Sequence, residues 1–156
     1  MKKMFIVLCV LGILPILLKA QTKQDSVAIR VTVLNYIEGW TSGDSARMAL
    51  SLHPLLAKRG IVPSRAGKGT EMLSATYKEM VSWTVFQKNA KKEIPQQKDE
   101  IFIDKIGRNI ASVTCVSSEY IDYLHLARTG KGWKILNAIW EPNYSVMEQA
   151  RVDEKE

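Results

Sequence analysis

The chain has 156 residues, with 22 Lys and Arg against 16 Asp and Glu and a formal net charge of +6. That length holds one domain with a sizeable core and not comfortably two. The composition, 46% hydrophobic and 24% charged, excludes disordered, fibrous and collagen-like classes, and two cysteines exclude a disulfide-stapled scaffold.

The first twenty residues stand apart. Lys2 and Lys3 open the chain, Met4 to Leu18 is uncharged and nearly all apolar, and Lys19-Ala20-Gln21 follows. This three-part pattern predicts a secretory signal peptide over residues 1–20, cut after Ala20. The apolar run of about fifteen residues is shorter than the roughly twenty needed to cross a bilayer, which favours a cleaved leader, with no stable membrane insertion afterwards, over the alternative of an uncleaved N-terminal anchor. Removing Lys2, Lys3 and Lys19 leaves 19 basic against 16 acidic side chains, or +3. A surplus that small serves solubility and gives no case for a nucleic-acid partner. The mature protein is thus expected in the periplasm or outside the cell. Cys9 leaves with the leader. Cys115 is left alone, without a disulfide partner, as a small core hydrophobe in a strand-like stretch.

Asp25 to Trp40 reads as a helix with Asp25 or Ser26 as its N-cap. Its apolar stripe is Ile29, Val33, Tyr36, Ile37 and Trp40. Ser42-Gly43 breaks it, and Asp44 caps a shorter second helix through Leu52. His53-Pro54 ends that helix, because the residue before proline avoids the α region. Leu55 to Ile61 continues irregularly or as another turn. Pro63 to Gly69 is a loop, and Thr70 caps a third helix to about Val85 with Leu73, Tyr77, Met80, Val81 and Thr84 on one side. Asn89 to Glu100 is a second, polar loop.

After Glu100 the hydrophobic period shortens. Ile101–Ile106, Ile110–Ser118, Tyr120–Arg128 and Trp133–Trp140 read as four strands in series, the last two joined by the hairpin loop Thr129-Gly130-Lys131-Gly132. Pro142 stops the last, and Ser145 to Glu156 is a charged tail, frayed or weakly helical. Helices followed by a meander predict an α+β domain, with three helices on a curved antiparallel sheet of about four strands and a wedge-shaped hollow between them.

Three segments of the first half carry a family likeness: Asn35-Tyr36-Ile37-Glu38-Gly39-Trp40, Gly43-Asp44, and Leu52-His53-Pro54 with Leu56-Ala57-Lys58-Arg59. In the second half Ile110-Ala111-Ser112-Val113, Tyr120 to Leu126 and Gly132 to Asn137 continue it. In order and spacing these resemble the putative lumazine-binding family of the nuclear transport factor 2-like superfamily, over roughly residues 26–141. The resemblance implies a cone of sheet and helices, the fold of ketosteroid isomerase and the polyketide cyclases. It implies no particular activity, since the superfamily hosts enzymes, binders and assembly modules. It also implies a homodimer paired through the outer face of the sheet.

Among candidate site residues, Asp122 shares a strand face with Tyr120, Leu124 and Leu126, so a carboxylate sits beside apolar neighbours, where it could accept or shuttle a proton. It could equally anchor a backbone amide. His53, at the end of the second helix, could exchange protons with a ligand or with Asp122, or could simply cap carbonyls. His125 falls on the opposite strand face, toward solvent or a dimer partner. Tyr36, Trp40, Tyr120 and Trp140 are candidates to line a pocket for a flat molecule, whereas Trp133, Trp83 and Tyr77 read as core. With two histidines, one mature cysteine and no paired ligand spacing, neither a metal site nor a cofactor is expected. Three readings stand: an exported pocket protein for an unknown small molecule, a lyase, isomerase or cyclase using Asp122 with His53, and a dimeric interaction module.

Overall fold

The structure is a computed structural model and describes residues 23–88 and 98–153, with the backbone alone for 149–153. The leader expected over residues 1–20 and most of the loop from Asn89 lie outside the described residues. Helix α1 covers residues 23–42, and α2 is Ser45–Ser51. Then come β1 (Leu52–Pro63), β2 (Thr70–Ala75) and α3 (Tyr77–Gln87). Strands β3 (Glu100–Ile106), β4 (Ile110–Val116), β5 (Tyr120–Thr129) and β6 (Gly132–Pro142) follow, and α4 (Tyr144–Asp153) closes the chain.

The six strands form one sheet in the order β2-β1-β6-β5-β4-β3. All neighbours are antiparallel except β1 and β6, which run parallel. The expected four-stranded antiparallel meander is therefore only the second half of a mixed sheet, and the helices among the described residues number four, not three.

The missed strands have a physical reason. Pairing of β1 with β6 jumps from Leu52↔Ile135 to Ala57↔Asn137, so residues 53–56 bulge out of the ladder around His53-Pro54. Pro54 has no amide hydrogen to give, and the interruption hides the alternation of Leu56, Lys58 and Gly60, which all turn inward. The third helix begins six residues later than expected. Thr70–Ala75 pairs with β1 as a hairpin strand, and the cap is Thr76, which exchanges side-chain bonds with Glu79 in a capping box. Those bonds, from the Thr76 amide first, hold the Glu79 carboxyl below its ordinary range. Asp44 does cap α2, accepting from the amides of Ala46 and Arg47 at 3.0 Å. Asp25 does not cap α1: it lies inside the first turn and serves a different purpose, described below.

The core lies between the concave sheet face and α1 to α3. Ile29, Val33 and Ile37 of α1 meet Ala111, Val113, Leu124, Leu126 and Ile135 of the sheet. Each fully buried aliphatic side chain contributes about 1.5–3 kcal/mol. Cys115 is buried there, as expected of a small hydrophobe. Burial first, and Asp122 second, push its thiol well above the ordinary range, so it is held as an inert thiol.

Candidate functional site

Register across the sheet builds the site. One concave row runs Cys115, Asp122, Trp140, Gly60 and Leu73 through five adjacent strands, and the next runs Val113, Leu124, Ala138, Lys58 and Ala75. Trp140 belongs to the first row only because β6 bulges. Leu126 pairs with Ile135 and His125 with Asn137, leaving Leu136 unopposed. One extra residue reverses which side chains face inward. Trp133 and Ile135 are buried before the bulge, and Ala138 and Trp140 face inward after it. Gly60 is the complementary feature on β1. A Cβ there would overlap the Trp140 indole, so the missing side chain is what lets that ring lie flat against the strand.

Above these rows, between the sheet and helices α1 and α3, is a cavity of about 450 Å³. Tyr36, Trp40, Tyr120 and Trp140 all line it, as does Asp122. Tyr120 and Trp140 meet edge to face, 4.8 Å between centroids at 81°. Trp83, expected in the core, is 43% exposed and lines the cavity instead. Trp133 is core, 3% exposed.

Asp122 is buried on the same strand face as Leu124 and Leu126, but it is not alone among apolar neighbours. The Tyr36 hydroxyl donates to its Oδ1 at 2.9 Å, and Lys58 Nζ donates to the same oxygen at 2.8 Å. Lys58 Nζ also donates to the Tyr36 hydroxyl. All three side chains are at least nine-tenths buried and all three line the cavity. The ammonium lies 5.2 Å from the Trp140 ring centroid, within cation–π range. Its equal closeness to the Tyr36 ring is a rim contact through the hydroxyl, not a stacking over the face. Burial, then the charge and hydrogen bond of Asp122, hold the Tyr36 phenol well above its ordinary range. Burial, with Glu119 and Asp122 adding, pushes Tyr120 up to about 12. Both phenols therefore stay neutral donors at any ordinary pH.

A buried carboxylate without a counter-charge would cost several kcal/mol. With Lys58 opposite, the pair is close to neutral in stability, while loss of either partner is expensive. Lys58 escaped sequence reading because the β1 bulge concealed its strand. Reading Leu56, Lys58 and Gly60 as alternate residues of one strand would have turned the lysine inward. Trp40 adds one further polar group to the wall. Its Nε1 is buried and has no hydrogen-bond partner among the described residues, a state that costs about 1–3 kcal/mol.

The structure does not bring His53 to this cavity. Its ring sits in the β1 bulge and accepts the Leu55 amide through Nδ1 at 3.1 Å. A bulge residue turned away from the concave rows holds the local turn, so the expected Asp122–His53 proton exchange has no geometric basis. His125 lies on the convex face, where Nδ1 meets the Asn137 amide at 3.2 Å.

Residues 24–141 match the family described as putative lumazine-binding. The chain belongs to that family. Solved structures agree on the fold. The fold is similar to a nuclear transport factor 2-like protein of unknown function from Silicibacter pomeroyi, with TM-score 0.61 at 15% identity over 78% of this chain and 98% of that one. A nuclear transport factor 2-like protein of unknown function from Methylobacillus flagellatus gives TM-score 0.57 at 19% identity over 77% and 93%. A domain of unknown function with a cystatin-like fold from Nostoc punctiforme gives 0.56 at 16% over 84% and 85%. At these identities the likeness concerns the fold alone. A search of curated proteins found no match.

Proposed function

We propose that this protein binds a small, flat, partly apolar molecule in its cone, and that it works in the periplasm or outside the cell once residues 1–20 are removed. The observation that carries the reading is the cavity of about 450 Å³ whose walls are aromatic and whose floor is a buried Lys58–Tyr36–Asp122 cluster. Wide apolar rings beside a few fixed polar groups are the ordinary make-up of a ligand pocket. Membership of a family described as lumazine-binding supports a small-molecule ligand without naming it. The test is extraction of protein purified from its native compartment, followed by mass spectrometry. A stoichiometric small molecule is the expected result, and consistently empty protein with no thermal shift across a broad metabolite panel would refute the reading. Export is checked by fractionation and by an N-terminus at Gln21.

A second reading concerns the opposite face. Phe102, Tyr123 and Ile139 are each about half exposed and fall in one convex row with Thr114 and Arg59. That apolar stripe favours self-pairing of two copies through the sheet, next to Ile121 and His125. Light scattering on the purified protein, with Tyr123→Lys as the disrupting variant, distinguishes dimer from monomer.

A further inference from the structure

The buried lysine invites the assumption that the cavity takes an anion. Counting valences on the cavity floor leads elsewhere. The Tyr36 hydroxyl spends its only hydrogen on Asp122 Oδ1. Lys58 spends two of its three on that same oxygen and on Tyr36, and the Trp140 ring faces the ammonium at 5.2 Å. Both donors converge on Oδ1, and no hydrogen bond among the described residues engages Asp122 Oδ2. Ionised carboxylate oxygens accept and cannot donate. The open valence on the floor is therefore an acceptor, on a side chain 4% exposed that lines the cavity.

Asp99 and Glu119 also line the cavity, and Arg65 stands at its rim with a side chain 92% exposed. An anion reaching the floor would meet an oxygen that cannot donate to it. Aromatic rings beside a carboxylate suit a group that donates and tolerates positive charge.

Resting on the pocket reading above, we infer that the cavity selects a ring-shaped ligand presenting an N–H or O–H donor, neutral or cationic, to Asp122 Oδ2, and discriminates against carboxylates and other anions despite Lys58. The ring lies among Trp140, Tyr120 and Trp40, and its donor reaches the floor.

Four naphthalenes with one ring system and different heads test this: 2-naphthylmethylamine, 2-naphthol, 2-methoxynaphthalene and 2-naphthoate. Affinity is read by calorimetry and by quenching of tryptophan emission on the mature chain. The amine and the naphthol bind at least about tenfold more tightly than the methoxy compound and the carboxylate, the worth of one directed hydrogen bond. In Asp122→Asn that gap falls below about threefold. Because this substitution also breaks a buried ion pair, the ranking on the unaltered protein stands as a test by itself. Naphthoate or methoxynaphthalene binding as tightly as the donors overturns the inference and leaves the pocket reading intact. No binding by any of the four refutes the pocket reading and this inference with it.

Discussion

The two ends of the β5–β6 ribbon hold the same three kinds of side chain and put them to different use. At the hairpin end, Asp25 of α1 accepts from Trp133 Nε1 at 3.2 Å and pairs with Arg128, whose guanidinium lies 4.8 Å from the Trp133 ring centroid. At the other end, about six residues and 20 Å along the ribbon, Asp122 takes Tyr36 and Lys58, with Trp140 beside the ammonium. Helix α1 serves both, giving Asp25 to one and Tyr36 to the other. The hairpin end is closed: both oxygens of Asp25 are engaged, and Thr32 adds a bond to the Trp133 carbonyl at 3.1 Å. At the cavity end, both donors crowd onto one carboxylate oxygen, and Trp40 Nε1 has no partner among the described residues. A satisfied cluster holds a fold together, and an unsatisfied one of the same composition is ready to hold something else.

The largest expected effect separates the two cations. Lys58→Met strands the Asp122 charge in the interior and should cost about 3–5 kcal/mol in urea unfolding. Arg128→Met leaves Asp25 with Trp133, and water reaches the partly exposed site, so about 1–2 kcal/mol is expected. Equal losses would mean that the two ends are not different in kind. Replacing Lys58 and Asp122 together, by Met and Leu, should cost less than Lys58→Met alone.

The indoles sharpen the contrast. Trp133→Phe removes the donor to Asp25 and opens a void in packed core, for about 2–4 kcal/mol of stability. Trp40→Phe relieves the cost of a buried N–H that bonds nothing among the described residues and loses indole packing, two terms that offset, so thermal unfolding should change by less than about 1 kcal/mol. Gly60→Ala comes next. The new methyl displaces the Trp140 ring toward the cavity, costing about 1–3 kcal/mol and most of the ligand-sized volume. A crystal structure with Trp140 unmoved would contradict the role given to Gly60.

The last effect is in pH. The Tyr120 hydroxyl ionises near 12 in the folded chain and near its ordinary value of 10 in the unfolded one. Unfolding then releases a proton at alkaline pH, so stability is unaffected below about pH 10 and declines from 10 to 12. Tyr120→Phe should flatten that decline.

Legibility in the sequence follows the same division. β3 to β6 and the inward face of Asp122, Leu124 and Leu126 could be read from alternation, because between the bulges at Asp104 and Leu136 their ladders run regularly. The stripe of α1 led to Tyr36 and Trp40 for the same reason. What escaped depends on interruptions of period. The bulge at residues 53–56 disguised β1 and with it Lys58, and it gave His53 a structural place in the turn. The Thr76–Glu79 capping box is a readable signal, masked because Leu73 by chance extends the helical stripe backwards toward Thr70. Trp140 has the chemistry of a lining residue, but its inward direction depends on the Leu136 bulge, which no local pattern announces.

The central claim is that the Asp122 end of the cone accommodates a guest. Thermal unfolding of residues 21–156 and of their Gly60→Ala variant, each titrated with 2-naphthol, tests it directly. A ligand that binds only the folded state raises the midpoint with concentration. The midpoint of the unaltered protein should climb steadily while that of Gly60→Ala stays put. A flat response in both, or an equal climb in both, would contradict the claim.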